Sequence, residues 1–263
     1  MDSAIQMVSG ASLADNLAQA GELISLAAAS GSQFVALPEY FCMLGKKETD
    51  KLDIAESEGS GPIQDFLSET ARINKIWLSS GSIPIISPDA GKVFNTQLIF
   101  NPDGQQIARY DKIHLFSFAR GNESYDESRG ILAGNSIQRV DTPVLSLGLS
   151  ICYDLRFPEL YRALGEVDLI LVPSAFTYTT GQAHWELLLR ARAIENQCYV
   201  LAPAQGGQHE NGRRTWGHSM LIDPWGEILS VLPEHAGVVS GTIDPVRLQE
   251  VRQALPALRH RTL

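Results

Sequence analysis

The sequence predicts a layered α/β protein, on three observations. Short apolar runs of strand length recur along the chain, segments with helical periodicity alternate with them, and no low-complexity linker divides the 263 residues. That length is ordinary for one layered α/β unit, so residues 1–263 are expected to form a single domain. Such a chain buries roughly three-quarters of the surface its unfolded form exposes, and needs neither disulfides nor a metal to hold it together.

The elements follow in order. Leu13, Leu17, Ala20, Ile24 and Ala27 share one helical face between positions 12 and 30, with Ser12 placed as a cap, Asp15 three residues later and Gly31 at the far end. The apolar run 34–37 suits a buried strand closed by Pro38, which puts the carboxylate of Glu39 at a strand's carboxyl end. Strand-like runs at 76–86 and 93–100 lead through an Asn101-Pro102-Asp103-Gly104 turn into 105–110, and Lys112 lies just past that hairpin. Residues 117–134 are polar and read as a surface loop able to wall a pocket. Residues 144–151 form the next strand, Pro158 opens a helix through Arg162, and Cys152 stands at the junction. A strand at 168–172, a helix at 182–196 and a strand at 198–202 come next. The last third adds strands at 219–222, 227–232 and 237–243, an Asp223-Pro224-Trp225-Gly226 turn, a helix from about Pro245 and the basic tail Arg259, His260 and Arg261.

Composition removes several function classes. With 21 basic and 30 acidic residues the net charge is −9, and no Lys/Arg block could neutralise a row of phosphates, so nucleic acid is not an expected partner. The longest apolar stretches fall far short of the roughly 20 residues that a membrane span requires. The opening Met1-Asp2-Ser3 lacks a basic segment followed by an apolar core, which makes the cytoplasm the expected location. Cys42, Cys152 and Cys198 are odd in number and widely spaced, unlike a disulfide framework or a zinc cluster, and the histidines include no H-E-x-x-H. Function, not stability, must account for any reactive cysteine.

A cysteine between a strand and a helix start lies near free backbone N–H groups, and a neighbouring ammonium would lower its pKa further. The segment Cys152-Tyr153-Asp154-Leu155-Arg156-Phe157-Pro158-Glu159-Leu160-Tyr161-Arg162 resembles the nucleophile motif of the nitrilase superfamily, the carbon–nitrogen hydrolases. Leu37-Pro38-Glu39-Tyr40 resembles the motif with the catalytic glutamate, and Tyr110-Asp111-Lys112-Ile113-His114-Leu115-Phe116 the one with the lysine. Each alone is weak, but three in order, about 73 and 40 residues apart, are specific. Segments 183–196 and 217–226 are also family-like, so the resemblance covers essentially the whole chain.

The resemblance implies a four-layer α-β-β-α sandwich whose subunits pair into an eight-layer homodimer, and no cofactor. It makes Cys152 the nucleophile, Glu39 the general base and Lys112 the cation that holds the oxyanion together with the Tyr153 N–H. Glu127 is the better match to a second family glutamate, with Glu123 as the alternative. Within the superfamily the segments look most like the deaminated-glutathione amidase branch, with ω-amidase a near neighbour. The implied reaction is hydrolysis of the terminal amide of a small carboxylate-bearing molecule through a cysteine thioester, with release of ammonia. Deaminated glutathione is the first candidate, 2-oxoglutaramate the second, and carbamoyl or nitrile hydrolysis is left open by the same triad. A catalytically silent binding partner is the non-enzyme alternative, against which the intact triad speaks.

Around this core, Arg156 is placed either to meet a substrate carboxylate or to make a structural ion pair. Phe176 and Thr177 belong to a stretch, 176–180, that resembles a substrate-lining loop. His114, and the cluster His184, Glu186, Arg190, Arg192 and Glu195, read as structural. Cys198 is expected to be inert, and Cys42 to lie near the cleft without acting.

Overall fold

The computed structural model describes residues 1–47, 49–121 and 123–262. The first half of the chain runs β1 (Asp2–Gln6), α1 (Leu13–Ala29), β2 (Phe34–Ala36), the single turn α2 (Asp50–Asp53), α3 (Pro62–Asn74), β3 (Trp77–Ser79), β4 (Ile83–Ile86), β5 (Val93–Phe100), β6 (Gln106–Asp111), β7 (Ser117–Arg120) and β8 (Glu123–Asp126). The second half runs β9 (Arg139–Asp141), β10 (Ser146–Leu149), α4 (Pro158–Ala163), β11 (Leu169–Leu171), α5 (Tyr178–Asn196), β12 (Tyr199–Ala202), β13 (Gly206–Gln208), β14 (Arg214–Trp216), β15 (Ser219–Ile222), β16 (Ile228–Leu232), β17 (Gly237–Gly241) and α6 (Pro245–Ala254).

One seven-stranded sheet is ordered β17-β1-β2-β3-β5-β4, with β6 also on β5, and a six-stranded sheet is ordered β16-β15-β12-β11-β10-β9. The centres, β1-β2-β3 and β10-β11-β12, are parallel, and antiparallel strands flank them. Side-chain alternation then builds the layers. Phe34 and Ala36 of β2 face the second sheet, sharing a cluster with Leu147, Leu149 and Leu171, while Val35 turns outward onto Ala20 and Ile24 of α1 and Leu67 of α3. Trp185 and Leu189 of α5 and Leu248 of α6 pack with the second sheet's strands. The result is the expected α-β-β-α sandwich. Among the described residues no helix is long and apolar enough to cross a membrane.

Polar side chains stitch the two sheets together close to the site. Gln6 of β1 accepts from both the N–H and the hydroxyl of Ser219 at 2.8 Å. Gln205 donates to the Glu39 carbonyl at 3.2 Å and to Ser9 at 2.8 Å.

Three expectations are corrected. The run 76–86 is two strands, because Ser80-Gly81-Ser82 breaks it with Gly81 at φ +62°. A Cβ there would sit 2.0 Å from the Pro38 carbonyl, so glycine lets this turn pack against the residue preceding Glu39. The stretch 117–134 is not merely a loop: β7 and β8 pair antiparallel within it. The helix expected at 182–196 starts at Tyr178, capped by Thr177, whose hydroxyl accepts from the Thr180 N–H at 3.3 Å. The first helical turn therefore occupies part of the segment read as a loop.

Candidate active site

The carboxyl ends of β2 and β10 bring Glu39 and Cys152 to one cleft. Both line it, together with Glu127, Tyr153, Arg156, Phe176 and Thr177, around about 520 Å³ of space open to solvent. Cys152 starts a 3-10 turn at φ +49°, in the left-handed region, and its N–H is tied to the Pro173 carbonyl at 2.9 Å beyond β11. A non-glycine residue in that conformation persists where its surroundings over-determine it, a common property of functional turns.

Lys112 is fully buried between two carboxylates: its Nζ donates to Glu39 Oε1 at 2.9 Å and to Glu127 Oε2 at 2.8 Å. Glu39 Oε1 also accepts from Asn95 Nδ2 at 2.9 Å, and Oε2 from the Ala175 N–H at 2.9 Å. Glu127 Oε2 accepts from the Phe116 N–H at 2.7 Å. Burial alone would depress the Lys112 ammonium, but the charges of Glu127 and Glu39 outweigh it and hold its pKa well above the ordinary lysine range. Burial likewise opposes the Glu127 carboxylate, yet Lys112 and then Lys51 keep its pKa below the usual value. Lys112 is thus a fixed cation with its direction set from both sides.

The thiol behaves otherwise than the sequence suggested. Burial, reinforced by the Glu39 carboxylate, pushes the Cys152 pKa well above that of a free cysteine, and the opposing pull of Lys112 does not compensate. Cys152 therefore rests as a thiol, and a nucleophilic thiolate needs a base to form. Glu39 Oε2, with one hydrogen-bond donor on it, retains a lone pair for that proton.

The structure separates the remaining candidates. Glu127, not Glu123, reaches Lys112; Glu123 accepts from Thr179 at 3.2 Å. Arg156 makes no ion pair among the described residues; its guanidinium stacks over Phe176 and Tyr153 at 5.4 and 5.7 Å and meets His184 Nδ1 at 3.2 Å. The Thr177 hydroxyl is engaged as the cap of α5. His114 pairs with buried Asp154 at 2.7 Å and stacks on Phe157. Arg190 with Glu186, and Arg192 with Glu195, form ion pairs on α5. Cys42 and Cys198 are buried, and their thiols are pushed up to about 12 chiefly by that burial.

Sequence reasoning missed Asn95, Lys51, Tyr125 and Arg213. The signal for Asn95 was present: Asn95, Thr96 and Gln97 are consecutive polar residues inside a buried strand, a placement that demands partners. Lys51, Tyr125 and Arg213 reach the cleft from α2, β8 and the β13–β14 turn, and no local pattern marks them.

Residues 3–253 match the carbon-nitrogen hydrolase family, and the chain belongs to it. Its relatives narrow the comparison. The deaminated glutathione amidase of Synechocystis sp. is 46% identical over 265 residues, spanning 98% of this chain and 96% of that protein. The omega-amidase NIT2 of Homo sapiens is 39% identical over 261 residues, spanning 98% and 93%. Among solved structures, the C. elegans NitFhit protein superposes with a TM-score of 0.91 at 41% identity, covering 99% of this chain and 64% of that one.

Proposed function

We propose that the chain, acting as one catalytic unit, hydrolyses the amide of a small 2-oxo acid through a thioester on Cys152, with deaminated glutathione as the first substrate and 2-oxoglutaramate as the second. The observation that carries this reading is the buried ion cluster behind the cleft, where Lys112 lies 2.9 Å from Glu39 and 2.8 Å from Glu127, both of which line the cleft with Cys152. The similarity to the Synechocystis deaminated glutathione amidase supports the substrate choice.

In this reading Glu39 Oε2 takes the thiol proton as sulfur attacks the carbonyl carbon. The oxyanion forms against Lys112 Nζ and the Tyr153 N–H, which bonds to no other group among the described residues. Donors aimed at a developing oxyanion are worth about 3 kcal/mol each. Protonated Glu39 then gives its proton to the departing nitrogen, the C–N bond breaks, and the thioester remains. Water follows, losing its proton to Glu39 as it attacks; collapse releases the carboxylate, and the proton returns to sulfur. The leaving group depends on the substrate. The primary amide 2-oxoglutaramate releases ammonia, whereas deaminated glutathione releases cysteinylglycine, and both yield 2-oxoglutarate.

Formation of 2-oxoglutarate from each compound tests the reading, with Cys152→Ala as the control. Turnover of at least one by the wild type, with an acyl thioester on Cys152 seen by mass spectrometry, is the expected result. A wild type as inactive as Cys152→Ala on both would leave the binding-partner reading standing. A homodimer is part of the same proposal, supported by exposed Leu187 and Ile194 on α5 and Leu229 and Val231 on β16; sedimentation as a monomer at micromolar concentration would overturn it.

A further inference from the structure

The cleft holds more positive charge than the hydrolytic step uses. Arg156, Arg213 and Lys51 line it in a protein whose net charge is −9. Arg213 ends the turn between β13 and β14, and that turn is held in place. The Arg213 carbonyl accepts from the His209 N–H at 2.8 Å, its N–H donates to Asn211 Oδ1 at 2.9 Å, and Asn211 Nδ2 donates to the Gly45 carbonyl at 2.8 Å. The guanidinium lies 5.0 Å from the centre of the Tyr125 ring, and no carboxylate among the described residues pairs with it. Its neighbour Arg214, the first residue of β14, makes the contrast: it grips Glu234 with bonds of 3.0 and 3.2 Å.

Arg156 is in the same condition as Arg213, stacked on rings and without an acidic partner. The carboxylates that line the cleft with them are committed elsewhere: Glu39 and Glu127 to Lys112, and Asp126 to Ser128 and Arg129. A guanidinium stacked on an aromatic face keeps its planar fork of N–H donors in a fixed direction, which suits it to a carboxylate. The two come from different elements of the cleft lining. Arg156 stands on the nucleophile's own turn, and Arg213 stands on the β13–β14 turn, over Tyr125 of β8.

We propose that Arg213 is a specificity-determining residue that binds a carboxylate carried by the departing amine, while Arg156 binds the carboxylate of the acyl part. The assignment rests on the amidase reading above and deepens it: the preferred substrate is an amide with an anionic group on each side of the scissile bond. Deaminated glutathione has this form, and 2-oxoglutaramate has only the acyl-side carboxylate. Both compounds place the same 2-oxoglutaryl group on Cys152. The deacylation step is therefore shared, and Arg213 acts while the departing amine is still attached.

The test measures kcat/KM for the wild type and Arg213→Gln, each with deaminated glutathione and with the same molecule whose glycine carboxylate is capped as a methyl amide. The wild type is expected to prefer the free acid by about tenfold or more, the usual cost of losing a hydrogen bond to a charged group. Arg213→Gln is expected to lose that preference, Arg213→Lys to retain part of it, and Arg156→Gln to depress both compounds together. A wild type without the preference, or an Arg213→Gln protein that keeps it, overturns the assignment. A wild type inactive on both compounds and on 2-oxoglutaramate overturns the amidase reading itself, and the assignment with it.

Discussion

Asp154 offers the sharpest test of how the site is held. Two residues after Cys152 and fully buried, its carboxylate binds the Ile151 N–H at 2.9 Å, the His114 N–H at 3.0 Å, His114 Nδ1 at 2.7 Å and the Tyr110 hydroxyl at 2.7 Å. Tyr110 and His114 flank Lys112 at two residues on either side, so one carboxylate ties the Cys152 turn to the lysine segment. Burial, and then the Asp154 charge, push the Tyr110 phenol far above its usual range, which keeps it a donor. Asp154→Asn preserves shape but replaces one acceptor oxygen with an NH2 group that faces donors. Breaking a buried charged network from one side costs about 3–5 kcal/mol. At roughly 2–4 °C per kcal/mol for a chain of this size, the melting temperature is expected to fall by about 6–20 °C. Tyr110→Phe, which removes a single donor to the carboxylate, is expected to cost about 1.5–3 kcal/mol. Thermal and urea unfolding at pH 7, with kcat measured well below the transition, read both effects. An Asp154→Asn protein that melts within about 2 °C of the wild type, well short of that range, and keeps its kcat would refute the claim that this carboxylate ties the Cys152 turn to the lysine segment.

The remaining predictions concern the acid–base groups. Glu39→Gln keeps a hydrogen-bond acceptor for Lys112 but cannot take the thiol proton, so kcat is expected to fall by about 10²–10⁴-fold; a loss below tenfold in a steady-state assay would remove Glu39 as the base. With thiols at about 12, Cys42 and Cys198 are expected to resist iodoacetamide in the folded protein at pH 7.5 and to react after unfolding, as read by peptide mapping. The ion cluster also sets a pH window. The depressed Glu127 pKa contributes stability that is present above its unfolded value of about 4.3 and lost as pH falls through the folded one. The raised Lys112 pKa contributes stability that is complete below about 10.4 and lost as pH rises through its folded value. The stability gap between wild type and Glu127→Gln, from urea unfolding, is therefore expected to be flat between those limits and to shrink outside them. A gap that widens on acidification contradicts the sign.

What could be read from the chain alone was whatever depends on near neighbours. The cap and periodicity around Ser12 placed α1, the strand-like run 93–100 placed β5 to the residue, and the ends of apolar runs put Glu39 and Cys152 at strand termini. Nothing comparable marked β1. Asp2, Ser3 and Gln6 make it look polar, yet it is buried throughout, because those side chains find partners such as Ser240, Ser219 and Ile243 more than 200 residues away. The start of α5 was hidden as well. Thr177, Tyr178, Thr179 and Thr180 are weak helix formers, and Gly181 is required there because a Cβ would meet Trp216 of β14 at 2.2 Å.

The sequence by itself determined the chemistry: a thiol, a carboxylate and an ammonium, each at the edge of an element whose pattern is local. The tertiary structure decided their state. Packing the two strand ends against each other removes water from Cys152, so the thiol keeps its proton, and it sandwiches Lys112 between two carboxylates that hold it charged. It also decided which arginine faces the cleft. Arg213 and Arg214 are adjacent and identical in type, yet Arg214, the first residue of β14, grips Glu234, while Arg213, the last residue of the turn before it, lies over Tyr125, a division that exists only once β14 has paired with β13.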